Sequence, residues 1–134
     1  MASFVVRIAF ALSLAASAPA LAQGSLDALK SSTPQERATF QTEYMKDKLA
    51  LTAEQLPKVS ALNLETAQKI QPVLESSDRP LMKARAVKGI EAQKETALQG
   101  ILTPDQFQKF LALREEMKQK LEQKLADKAA GKTP

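Results

Sequence analysis

The chain has 134 residues, a formal net charge of +4 at pH 7, and neither histidine nor cysteine. This excludes disulfides and the Ser-His-Asp and Cys-His arrangements of nucleophilic catalysis, and a transition metal would have only carboxylates and thioethers to use. The length suits one domain, and the basic excess falls short of a dedicated nucleic-acid binder.

Residues 1–22 carry the pattern of an export signal. Arg7 follows the amino terminus, an apolar stretch runs from Ile8 to Ala16, and Ala20-Leu21-Ala22 is a small-x-small cleavage site that would leave Gln23 first. The apolar stretch is shorter than the ~20 residues of a membrane span. The expected mature protein is therefore periplasmic and has no integral membrane segment. Of the 19 basic residues one, Arg7, lies in the signal, leaving 18 against 15 acidic ones. With only Phe40, Tyr44, Phe107 and Phe110 as mature aromatics, such a chain buries little by itself, which favours a homodimer.

Residues 23–32 read as a flexible lead-in, and 33–128 as one helical domain without strand-like alternation. The first helix is expected at Thr33-Pro34-Gln35-Glu36, with threonine as cap, proline first and glutamate returning the bond, and it should end near Lys48. The second is expected from Ala53 to about Ile70. Its stripe holds Leu56, Val59, Leu62, Ile70 and Val73, with Asn63 and Thr66 among them. Pro57 falls early in it, and Pro72 should kink or end it at Gln71.

The third helix is expected from about Pro80, with Gly100 as its stop. Val87, Ile90, Ala97, Leu98 and Ile101 form its stripe, and Lys83 and Lys94 lie on that stripe with their stems along it. Gly89 costs this helix about 1 kcal/mol relative to alanine. The fourth is expected from Pro104 to about Ala126, with Phe107, Phe110, Leu113, Met117, Leu121 and Leu125 facing inward. Residues 129–134 read as a disordered tail.

Two of these helices open alike. In Leu51-Thr52-Ala53-Glu54-Gln55-Leu56, Thr52 caps, Gln55 returns the bond, and Leu51 staples to Leu56. In Leu102-Thr103-Pro104-Asp105-Gln106-Phe107, Thr103, Gln106, Leu102 and Phe107 take the same parts. Beyond the motif, Lys58 matches Lys109, Leu62 matches Leu113 and Glu65 matches Glu116 at the same spacing, the mark of an internal duplication or of convergence between two amphipathic helices.

Paired LTxxQ motifs behind an export signal, in a small helical chain without cysteine, resemble the Spy/CpxP family of periplasmic proteins. The resemblance implies an all-α, four-helix hooked hairpin that pairs into an elongated, curved homodimer. It implies an ATP-independent chaperone, linked to the envelope stress response, that holds unfolded or aggregation-prone clients. Alternatively, it implies a regulatory partner that binds and damps an envelope-stress sensor kinase.

The residues narrow these expectations. Relatives that bind metals would need more than Met45, Met82 and Met117 with carboxylates, so no metal or cofactor is expected. No glycine run can cradle phosphates, and Glu115-Glu116 suits a solvated face, so no enzymatic activity is expected. Arg79, Lys83, Arg85 and Lys88 form a basic stretch with no acid between Asp78 and Glu91. With Leu81 they make either a mixed patch for clients or partners, or an ordinary solvated helix face.

Overall fold

The computed structural model describes residues 26–132, and no strand occurs among them. Among the described residues four long helices follow a short helical stretch at 26–30: α1 (Pro34–Leu49), α2 (Gln55–Glu75), α3 (Pro80–Ile101) and α4 (Pro104–Ala129). The fold class is all-α, as expected. Proline opens α1, α3 and α4, where its fixed φ suits the helix and its missing N–H is not needed. The expected signal, 1–22, and residues 23–25 lie outside the described residues.

α1 packs along α2, α2 along α3, and α1 along α4, whereas α3 and α4 touch little. The larger core joins Met45 and Leu49 of α1, Val59 of α2, Leu98 of α3, and Phe110 and Met117 of α4, with Leu102 from the linker. Asn63 is fully buried between α1 and α2, where its Nδ2 donates to Thr42 Oγ1 at 3.0 Å. A buried amide accepts few alternative partners, so it fixes the register of that pair. A smaller core at the far end of α2 gathers Ile70 and Leu74 with Leu26, against Val87 and Ile90 of α3.

Five expectations need correction. α2 runs through Pro72 to Glu75. Proline deletes one ladder bond there, but buried Ile70 and Leu74 flank it and hold the last turn by packing. Gly100 does not stop α3, which ends one residue later. Half-buried Ile101 and buried Leu102 draw the chain onward, and Pro104 forces Thr103 out of the helical region. Ala97 is exposed rather than part of the α3 stripe.

The last two corrections concern the chain ends. Residues 26–30 are helical rather than a flexible lead-in, and Leu26 and Ser32 are buried. At the other end α4 reaches Ala129 and is closed by a Schellman turn, not by a disordered tail. The Lys132 N–H donates to Asp127 O at 2.9 Å, the Gly131 N–H to Lys128 O at 3.1 Å, and Gly131 has φ +71°. Residues 133–134 of the expected tail lie outside the described residues.

α1 ends in the same manner, but with alanine in the left-handed position. Ala50 has φ 49°, and the Leu51 N–H donates to Lys46 O at 3.3 Å. A Cβ costs ~1–2 kcal/mol in that conformation. Ala50→Gly should therefore raise the melting temperature by about 4–8 °C per kcal/mol recovered. Gly89→Ala should also raise it, because Gly89 sits inside α3 with nothing within 4 Å of an added Cβ. Thermal unfolding followed by circular dichroism checks both, and a lower melting temperature in either variant would contradict this assignment.

Candidate functional site

The two LTxxQ motifs meet. Each first acts as the expected capping box. The Gln55 N–H donates to Thr52 Oγ1 at 3.1 Å and the Thr52 N–H to Gln55 Oε1 at 3.0 Å. The Gln106 N–H donates to Thr103 Oγ1 at 3.2 Å and the Thr103 N–H to Gln106 Oε1 at 3.0 Å. Regular α2 is counted from Gln55, but the Leu56 N–H already bonds to Thr52 O at 3.0 Å, so Thr52 is the true cap.

Each glutamine then reaches across to the other motif. Gln55 Nε2 donates to Gln106 Oε1 at 2.7 Å, and Gln106 Nε2 donates to Gln55 Oε1 at 3.0 Å. The second proton of each amide goes to the end of another helix: Gln55 to Ile101 O of α3 at 3.1 Å, Gln106 to Leu49 O of α1 at 3.2 Å. Each side chain thus fills both donor and both acceptor positions of a primary amide. The starts of α2 and α4 and the ends of α1 and α3 converge on this one pair. The sequence reading gave the motif its capping role and missed the pairing. The available signal was the choice of glutamine in both boxes, where the α1 box uses Glu36.

That third box works by charge. Glu36 Oε2 accepts from the Thr33 N–H at 2.9 Å, and its Oε1 pairs with Lys128 near the end of α4. The hydrogen bond from Lys128, and after it that from the Thr33 N–H, pull the Glu36 carboxyl down from 4.5 to about 2.

Among the described residues three cations are buried, each on neutral acceptors or a single acid. Lys83 Nζ donates to Leu74 O at 2.9 Å, in the last turn of α2, where a positive charge also meets the negative end of the helix dipole. Lys94 Nζ bonds to Gln41 Oε1 at 3.1 Å and pairs with Glu91 at 2.9 Å. Arg37 ties residues 26–32 to α2: Nη1 donates to Ser32 O at 2.8 Å and Leu29 O at 2.9 Å, Nη2 to Gln71 Oε1 at 2.8 Å. Burial pushes the Arg37 pKa down, opposed by neighbouring Glu36. Arg37 explains the weak amphipathicity of α1, since part of its inner face is a guanidinium.

The expected contact patch therefore divides. Lys83 is 8% exposed and belongs to the interior, a correction that follows from its long stem and the carbonyl within its reach. Arg79, Leu81, Arg85 and Lys88 are exposed at the α2–α3 end of the molecule, and Leu81 lies beside exposed Met82.

A second feature had no counterpart in the sequence reading. Between α3 and α4 lies a groove of about 660 Å³. Ala67 and Ile70 of α2 and Met117 and Leu121 of α4 supply its apolar base. Lys88, Glu91 and Glu95 stand on the α3 side, with Arg114, Lys118 and Glu122 on the α4 side. The Arg114–Glu95 ion pair, at 2.7 Å, spans the two sides. Both partners are partly exposed, so it holds them weakly. Among the described residues no cluster of three or more acidic side chains is placed to hold a metal ion, and no helix is long and apolar enough to cross a membrane.

Residues 22–110, more than half of the chain, match the family described as Domain of unknown function (DUF4890). The chain belongs to that family. No curated protein and no solved structure matches the chain at a significant level.

Three predictions follow the geometry. Gln106→Glu keeps the acceptor for Thr103 but loses both donated bonds, so it should cost about 1–3 kcal/mol at pH 7. In a double-mutant cycle, Gln55→Ala and Gln106→Ala should leave a coupling of at least ~0.5 kcal/mol, and additivity would refute the pairing. The folded pKa of Glu36 is depressed, so its stabilisation is present above pH 4.5 and is lost as pH falls toward about 2. The melting-temperature gap between wild type and Glu36→Gln should close over that interval and stay constant above it.

Proposed function

We propose that this chain is an ATP-independent periplasmic chaperone of the Spy/CpxP type, holding unfolded or aggregation-prone envelope proteins. The observation that carries the reading is the groove of about 660 Å³ between α3 and α4. Its apolar base offers burial to exposed apolar segments of a client. Its sides carry both signs of charge, which suits clients of many sequences by weak, quickly reversed contacts. Lys88 stands on the groove's side, so one residue of the expected patch keeps a role in client contact.

The paired LTxxQ motifs support the reading from a second direction. They join the helix starts with hydrogen bonds and leave no reactive group at the junction. Holding a client needs a surface, not a nucleotide or a nucleophile. The reading includes a homodimer, which would lengthen the client surface and bury apolar area that a chain with few aromatics lacks.

The test is light scattering of two unrelated unfolded proteins, without ATP, with the mature chain added. Near-stoichiometric amounts should suppress aggregation of both. Lys88→Glu with Lys118→Glu should weaken suppression without lowering the melting temperature. No suppression of any client would contradict the chaperone reading and favour a dedicated partner of an envelope-stress sensor kinase.

A further inference from the structure

The two exposed large apolar side chains among the described residues are neighbours. Leu81 is 61% exposed and Met82 53% exposed, in the first turn of α3. Isolated exposed apolar residues are ordinary, but two long ones side by side at the end of a helical hairpin remove no water from each other's outer faces. They sit past the end of α2, whose 21 residues put them about 30 Å along the helix from the Gln55–Gln106 pair. They are therefore separate from the junction and project from the end of the molecule.

Cations surround them. Leu81, Arg85 and Lys88 recur at i, i+4 and i+7 and share one face of α3. Met82 and Arg85 are i, i+3 neighbours, and Arg79 directly precedes the helix. Arg79, Arg85 and Lys88 are all exposed, and none is in an ion pair among the described residues. The acids nearest in sequence are engaged elsewhere. Glu75 accepts from Gln71 Nε2 at 2.6 Å and Asp78 from Ser76 Oγ at 3.2 Å, both on the α2 side of the turn. From Arg79 to Ile90 the chain carries no acid at all.

Apolar side chains at the extremity, ringed by unpaired cations on flexible stems, match an interface with an apolar interior below an anionic surface. We propose that the α2–α3 tip docks on anionic phospholipid membranes. Leu81 and Met82 enter the headgroup region, and Arg79 and Arg85 meet the phosphates. Helical anchors of this kind bind by buried apolar area together with attraction to anionic lipid, and each cation adds up to about fivefold. The groove between α3 and α4 is not used, so docked protein keeps it free. The proposal is independent of the chaperone reading.

The test is flotation of the mature chain with vesicles of phosphatidylcholine alone or with one third phosphatidylglycerol. At 0.05 M salt, binding to the anionic vesicles should be at least about tenfold tighter, and it should fall steeply by 0.5 M as charges are screened. Leu81→Asp with Met82→Asp, and separately Arg79→Glu with Arg85→Glu, should each weaken it at least about fivefold. All four positions are exposed, so the melting temperature should stay within a few degrees. Equal affinity for both vesicles, no binding to either, or variants that bind as wild type would overturn the proposal. It would equally be overturned if both tip variants lost suppression of client aggregation yet bound anionic vesicles normally. The tip would then be a client surface.

Discussion

Two side-chain amides, Gln55 and Gln106, bond to each other at 2.7 and 3.0 Å where four helix ends converge. The constraint is one of saturation. A helix end leaves donors or acceptors without partners, and at this half-buried junction the two glutamine side chains supply them. Each glutamine serves its own helix start, the other glutamine, and the last carbonyls of a third helix. Removing either would orphan polar groups on both sides, which costs more than a hydrogen bond gains. Leu102, Leu49 and Val59 pack close by as a dry core, so the polar pair and the apolar cluster hold the same junction.

The rest of the molecule follows from having its strongest junction at one end. α1 and α2 stay together along their length, fixed in register by Asn63. α3 follows α2 and α4 follows α1, and the gap between α3 and α4 becomes the groove. A chain with so few aromatics fills the remaining inner positions with long cations rather than large apolar groups. Lys83, Lys94 and Arg37 cover apolar surface with their stems and place their charge on a carbonyl, an amide oxygen or one glutamate. Such positions are costly to leave half-satisfied, which makes the interior specific in spite of its small size.

Much of this was legible in the sequence for a plain reason: local chemistry writes helix starts. Thr33, Thr52 and Thr103, each with its partner three residues on, placed three starts correctly, and Lys94 lies with its stem on the apolar stripe as read, whereas Lys83 on the same stripe was also assigned to an exposed patch and is buried. Misreadings arose where a local preference met tertiary packing. Pro72 and Gly100 are helix breakers by propensity, yet Leu74 and Ile101 have core to reach beyond them. The lead-in has no strong pattern of its own. It is ordered by Arg37, whose bonds to Leu29 and Ser32 are visible only once α1 and α2 are side by side. The glutamine pair was hidden for the same reason. A capping box explains Gln55 and Gln106 fully as single sites, and nothing along the chain says that two boxes fifty residues apart face each other. The groove is a consequence of helix divergence and has no signature along the chain.

The central claim is that the two motifs form one object. The most direct test is nuclear magnetic resonance of the glutamine side-chain amides in the mature protein. The account predicts cross-relaxation between the Nε2 protons of Gln55 and Gln106, with hydrogen exchange slower than in exposed glutamines such as Gln99 or Gln108. No cross-peak, together with exchange at the rate of exposed glutamines, would contradict it. The motifs would then be two independent helix caps.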